Sequence, residues 1–272
     1  GSATIFASWK SPISKTGASV IAKSLAVLTF HALDDRPSVL SFSPHLFRHG
    51  MRLLHEHGYK TLGLAQAVKH LHQSSPFPDH ALALTFDDGF QSVYTEALPV
   101  LQQYGMTATV FPRLGSRDPA KPISRLPRFE DRTMLSWQEM QEMLRCGLTF
   151  GAHTITHPDL TRLAPDQIRA EVCDSKAILE DALSTSVTCF AYPFGRYSEL
   201  SRNIVSEHFL CACSDTLGLL AAGSDPFTLE RVDSYYLRTE RLFGLTLTRL
   251  FPWYIQTRSI PRQLKRKIRL WG

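Results

Sequence analysis

The apolar run Leu82–Phe86 ends in two adjacent carboxylates, Asp87 and Asp88, followed by Gly89 and Phe90. In parallel α/β folds the chemistry sits at the carboxyl ends of strands. Successive strand residues point to opposite sides, but a chain that turns at the strand end can bring both acids to one pocket. The same pair could instead open a loop or cap a helix. A second apolar run leads into Gly151-Ala152-His153-Thr154-Ile155-Thr156-His157-Pro158. Two histidines four apart converge on one metal ion in a helix or a tight turn; the β-branched Thr154, Ile155 and Thr156 and the following Pro158 favour the turn. With one of the acids they make a two-histidine, one-carboxylate set that leaves a coordination position open, which suits the activation of water. Phe190-Ala191-Tyr192-Pro193-Phe194-Gly195 ends a third run in a sharp turn. That turn either aims a backbone N–H into the pocket or merely links a strand to a helix. His31 follows a fourth run, Val27–Phe30, and a lone histidine assigns nothing by itself.

Positioning these groups calls for alternating strands and helices. Short apolar runs alternate with helix-period stretches from about residue 25 to about residue 250, the pattern of a mostly parallel sheet wrapped by helices. The strands expected are Ala26–Phe30, Ala81–Phe86, Thr107–Phe111, Leu148–Ala152, Val187–Ala191 and Phe209–Cys213. Ser43-Pro44 reads as an N-cap with proline at the first helical position, and Gly58 closes that helix. Ser136 and Glu139 form a capping box opening a helix that ends near Gly147, and Pro165 starts another that runs to Leu183. The proline-rich stretches 74–79 and 113–132 read as loops. The longer one either contacts substrate or is a surface insertion.

The 272 residues can bury a full core, and this length fits one large α/β domain. The net charge of +5 is local: Arg249, Arg258, Arg262, Lys265, Arg266, Lys267 and Arg269 lie in a tail without acids, so the remainder is slightly negative. A nucleic-acid-binding body is therefore disfavoured. Five cysteines (146, 173, 189, 211 and 213), none in a paired metal-type spacing, fit a reducing compartment rather than a disulfide framework. A cytoplasmic location with optional membrane association is expected, although Gly1-Ser2 has the look of a cloning scar and leaves room for a preceding signal.

TFDDG, HTITH with Pro158, and AYPFG, in this order, resemble the polysaccharide deacetylase family, also called the NodB-homology or carbohydrate esterase 4 family, over about residues 25–235. The resemblance implies an α/β fold, a distorted (β/α)7-type barrel, with an N-terminal extension at 1–24, a catalytic domain at 25–248 and a basic aromatic tail at 249–272. It implies Asp87 as catalytic base and Asp88, His153 and His157 as metal ligands. Two positions depart from the common pattern. The arginine that usually precedes the proline-glycine turn and holds the base is Ala191, and no histidine follows His208 to serve as the late general acid. Both departures resemble the branch of poly-β-1,6-N-acetylglucosamine deacetylases, which implies His31 as the acid. Asp233, with Arg231 beside it, and Asp34 are candidates to orient that acid.

The chemistry expected is removal of an N-acetyl group from an amino sugar in a polysaccharide or lipid-linked glycan, with one divalent ion, Zn²⁺ first and Co²⁺, Ni²⁺ or Fe²⁺ also fitting. A backbone N–H near Phe194, in the turn formed with Tyr192, Pro193 and Gly195, would stabilise the oxyanion. De-N-formylation, O-deacetylation, hydrolysis of a small cyclic amide and a silent glycan-binding module stay open. In the tail, Pro261 can start a helix with Leu264, Ile268 and Trp271 on one stripe. Residues 261–272 then either pack on the barrel or lie on an anionic membrane.

Overall fold

The computed structural model describes residues 24–73, 75–115 and 125–270, the last ten of them as backbone only. Residues 1–23 of the expected N-terminal extension and the middle of the 113–132 loop lie outside the described residues.

Ten strands are described: β1 (Ala26–Phe30), β2 (Ala32–Leu33), β3 (Ser41–Phe42), β4 (Lys60–Thr61), β5 (Ala81–Asp88), β6 (Thr109–Pro112), β7 (Thr149–Phe150), β8 (Cys189–Ala191), β9 (Cys211–Leu217) and β10 (Leu229–Asp233). Seven of them, all paired in parallel, run in the order β7-β6-β5-β1-β10-β9-β8. The seam between the two ends is bridged just past β7, where the Ala152 N–H donates to the Cys189 carbonyl and the Ala191 N–H donates back to Ala152, both at 2.9 Å. The ring is thus a nearly closed parallel barrel of seven strands wrapped by helices, with β4 beside the start of β5.

Period-two alternation along each strand divides the apolar residues into two layers. Val27, Ala83, Phe111, Cys189, Ala191, Cys211, Cys213 and Leu229 fill the barrel interior, closed at the amino-terminal end by Leu64, Ala67 and Val68 of the helix Leu64–His72. Leu28, Phe30, Leu84, Phe86, Val110, Phe190 and Val232 face outward against the surrounding helices. Small residues on several interior positions let the ring stay narrow. Two residues beyond this inner layer, the same faces carry Thr29, Thr85 and Arg231, with the Thr29 and Thr85 hydroxyls 2.9 Å apart. One step further lie His31, Asp87, Asp215 and Asp233, at the mouth of the barrel.

The helix Pro44–Glu56 forms where Pro44 sets its first turn, but Ser43 at the N-cap makes no side-chain capping bond, contrary to the role expected of it. Ser136 does cap its helix: its hydroxyl accepts from the Glu139 N–H and the Glu139 carboxylate accepts from the Ser136 N–H. The helix from Pro165 to Leu183 is interrupted by a π-turn at Ala170–Asp174. The last helix spans Phe251–Leu270, so it begins ten residues before Pro261, which lies inside it rather than at its start. Phe251, Ile255 and Ser259 pack it against the body. No helix of the described residues is long and apolar enough to cross a membrane.

Candidate active site

β5 delivers both carboxylates to one place. Asp87 points inward by the strand's own alternation, and Asp88 would point out, but its backbone turns to φ +68° and Gly89 follows at +82°. A Cβ on Gly89 would come within 2.9 Å of Pro112, so the turn requires glycine. The Asp87 carboxylate is buried and forms a bidentate ion pair with Arg231, Nη1 to Oδ1 and Nη2 to Oδ2, both at 2.8 Å. Arg231 is buried too, and its Nε donates to the Ser214 carbonyl at 3.0 Å. Burial alone would raise the Asp87 carboxyl; the Arg231 charge, with His153 and His31 nearby, overrides it and holds the group down at about 2. Asp87 is therefore a fixed carboxylate at neutral pH.

The two histidines reach the same point from the end of β7, two strands away around the ring. The segment after β7 is a turned loop, with Thr154 and His157 at φ +64° and +59° and the His157 N–H donating to the Thr154 hydroxyl. His153 Nδ1 donates to the Ala191 carbonyl at 2.7 Å, which leaves the Nε2 lone pair facing the cavity. The Nε2 atoms of His153 and His157 lie 3.1 Å apart, and Asp88 Oδ1 is 3.8 Å and 3.6 Å from them. Tetrahedral ligation at about 2.0–2.1 Å places donors about 3.3 Å apart, so these three fit a Zn²⁺-sized ion. Burial, with His153 and Arg113 close by, lowers the His157 imidazole to about 3, so it stands as a neutral lone-pair donor. Asp88, His153 and His157 thus form a donor set that could hold one metal ion.

The turn after β8 completes one wall. Phe194 adopts φ +58° and Gly195 +64°, and a Cβ on Gly195 would lie 2.1 Å from the Asp215 side chain. The Gly195 and Arg196 N–H groups donate to the Tyr192 and Pro193 carbonyls, and proline has no N–H. The Phe194 N–H takes part in neither of these bonds and is the candidate donor to a ligand. Its ring is exposed and meets the His157 ring edge-on at 4.6 Å. Tyr192 and Pro193 are buried behind the turn, and the Tyr192 hydroxyl donates to the Phe227 carbonyl.

His31, half-buried, lines the same cavity of about 580 Å³ from the end of β1, three strands from the seam in either direction around the ring. Asp233 also lines it, and its carboxylate accepts the Tyr235 N–H at 2.7 Å. Arg231, read from the sequence as a partner in orienting the acid histidine, binds Asp87 instead. Asp34 does not serve that orienting role either, because its carboxylate is taken by Arg132 and the Ser41 hydroxyl.

The profile of the polysaccharide deacetylases matches residues 74–210, half of the chain. The chain belongs to the polysaccharide deacetylase family. Over 175 residues it is 34% identical to YxkH of Bacillus subtilis (strain 168), covering 64% of this chain and 58% of that protein. It is 29% identical over 136 residues to the poly-β-1,6-N-acetyl-D-glucosamine N-deacetylase of Escherichia coli (strain K12), covering 47% of this chain and 20% of that one. The chain thus spans less than two thirds of these relatives. In fold it is similar to the Streptococcus pyogenes deacetylase PplD, with a TM-score of 0.73 at 24% identity over 84% of this chain and 99% of that one. It is likewise similar to IcaB of Ammonifex degensii, with a TM-score of 0.68 at 23% identity, over 81% and 97% of the two chains.

Two features of this polysaccharide deacetylase family member escaped the sequence. The arginine absent at Ala191 is supplied by Arg231 on β10, whose short run Leu229–Asp233 places two charged residues side by side and was not among the strands expected. Buried Glu171, in the π-turn, accepts the N–H groups of Ile155 and Thr156 and the Thr156 hydroxyl at 2.8–3.0 Å, and so holds the loop between the two histidines. Of the two roles open to the long loop, its C-terminal end favours contact with the site, since Phe129 and Glu130 form part of the cavity wall. Glu130 and Asp131 both have positive φ, and Arg132 ties this turn to Asp34, Ser41 and Glu130. The opposing stretch contributes Val39 and Leu40.

Proposed function

We propose that the chain removes the N-acetyl group from an amino sugar of a polysaccharide or lipid-linked glycan, using one divalent cation, Zn²⁺ by preference. One observation carries the reading: a carboxylate clamped by Arg231 stands beside an Asp–His–His donor set, and His31, at the end of the strand between those of Asp87 and Arg231, lines the same cavity. The name of the Escherichia coli relative supports an N-acetylated glycan as substrate.

A cation held by Asp88, His153 and His157 would supply Lewis acidity, polarising the acyl carbonyl and acidifying water. Asp87 takes the proton of the attacking water; the Arg231 fork fixes its orientation and keeps it ionised. The Phe194 N–H donates to the carbonyl oxygen as that oxygen gains charge. The amine nitrogen must leave protonated, because an amide anion is too basic to expel. His31 delivers that proton from β1, opposite the seam that carries the Phe194 turn. The products are acetate and the free amino sugar.

Acetate release from N-acetylglucosamine oligomers tests the reading, comparing chelator-treated protein with the same protein reloaded with Zn²⁺. Release that depends on the added metal is expected. A chain that binds the oligomers but frees no acetate with any of Zn²⁺, Co²⁺, Ni²⁺ or Fe²⁺ is a glycan-binding module instead.

A further inference from the structure

The last helix carries apolar residues on two faces, and only one of them is used. Phe251, Ile255 and Ser259, spaced four apart, are 5%, 2% and 8% exposed and dock the helix on the body. The opposite side presents Leu250, Trp253 and Ile260 at 62%, 67% and 51% exposure. Leu250 already accepts the Tyr254 N–H, so its carbonyl belongs to the helical register. At 3.6 residues per turn these three positions fall within an arc of roughly 80°.

The sequence prolongs both patterns in a telling way. Leu264 and Ile268 continue the spacing of the exposed stripe, whereas the spacing of the docked stripe continues into Arg262 and Arg266. Beyond Ile260 the residues at the docked spacing turn from apolar to cationic in the sequence. A helix built only to pack on the body would do the reverse. With Arg249, Arg258, Lys265, Lys267 and Arg269, residues 249–272 carry seven cations and no acid.

We propose that the Leu250–Trp253–Ile260 face and its basic continuation form a surface that lies on an anionic lipid membrane. An exposed apolar stripe with an aromatic residue and a lysine- and arginine-rich polar side is the composition that partitions into the headgroup region and responds to surface charge. Soluble protein partners of comparable apolarity need no run of seven cations. The helix also abuts the cavity: the Tyr254 hydroxyl donates to the Tyr236 carbonyl at 2.9 Å, and Tyr236 lines the active-site mouth. The binding surface itself does not depend on the catalytic reading.

Sedimentation with vesicles tests this directly. The full chain is incubated with phosphatidylcholine vesicles containing or lacking phosphatidylglycerol, at low and high salt, together with Trp253→Asn/Ile260→Asn and Arg258→Gln/Lys265→Gln/Arg266→Gln variants. Trp253, Arg258 and Ile260 do not line the cavity, and acetate release from a soluble oligomer should be unchanged in both variants and reports intact folding. The expected result is pelleting with the anionic vesicles, release at high salt and at least tenfold weaker partitioning of either variant. Equal partitioning of all three proteins overturns the proposal, as does binding that needs no phosphatidylglycerol. Capture by a soluble polyanionic glycan at the same salt with no vesicle binding also overturns it, and points to a glycan surface instead.

Discussion

Replacing Arg231 with glutamine removes the guanidinium while leaving Asp87 in a site where it is 4% exposed. Both members of the pair are buried and joined by two charge-assisted bonds of 2.8 Å, so solvent screening offers little relief. Breaking such a pair from one side costs about 3–5 kcal/mol. For a domain of this size each kcal/mol lowers the midpoint by about 2–4 °C, so a fall of about 6–20 °C is expected. Chemical denaturation in the presence of chelator measures the loss without metal linkage. Asp87→Asn/Arg231→Gln should recover part of it, giving a coupling energy of the opposite sign to the single losses. Arg231→Lys should rescue only partly, since an ammonium cannot make the two-pronged contact. Turnover of Arg231→Gln should fall with metal stoichiometry intact, because the base loses its orientation. If the variant kept stability within about 1 kcal/mol of the parent and a full rate, the clamp assigned here would be wrong.

Other substitutions separate the remaining roles. Asp88→Ala, His153→Ala and His157→Ala should each abolish metal binding, read by metal analysis of the dialysed protein, whereas Asp87→Asn should hold metal and lose about 10²–10⁴ in rate. His31→Gln should keep metal yet lose amide hydrolysis, with much less effect on an ester whose leaving oxygen needs little protonation; equal losses on both substrates would refute an acid role. Glu171→Ala frees the loop between the histidines, and metal affinity by calorimetry should fall about 10–100-fold with Asp87 chemistry otherwise unaltered. An unchanged affinity would make Glu171 a folding residue alone.

What the sequence disclosed was what local chemistry encodes. The TFDDG and HTITH segments are legible because strand alternation, positive-φ turns and a proline stop are all written within eight residues. β1 was marked from end to end by its apolar run. β5 runs two residues further than that signal, since Asp87 and Asp88 stay in the ladder with Phe111 and Pro112. The Arg231–Asp87 pair could not be read, since 144 positions separate its members and a polar residue alternates with apolar ones on many strands. Glu171 was hidden for a related reason: a glutamate in a helical stretch is ordinarily solvated, and only the tertiary fold shows that this one is buried. Pro261 misled because proline favours a helix start, while packing through Phe251 and Ile255 begins the helix a full ten residues earlier.

Mass spectrometry of defined N-acetylglucosamine oligomers and lipid-linked N-acetylated amino sugars, after incubation with the Zn²⁺-loaded chain, reads deacetylation directly. Products lighter by whole acetyl groups are expected, none with Asp88→Ala, and strongly reduced amounts with Asp87→Asn. Products of unchanged mass with every substrate, from protein that holds one metal ion per chain, would contradict deacetylation.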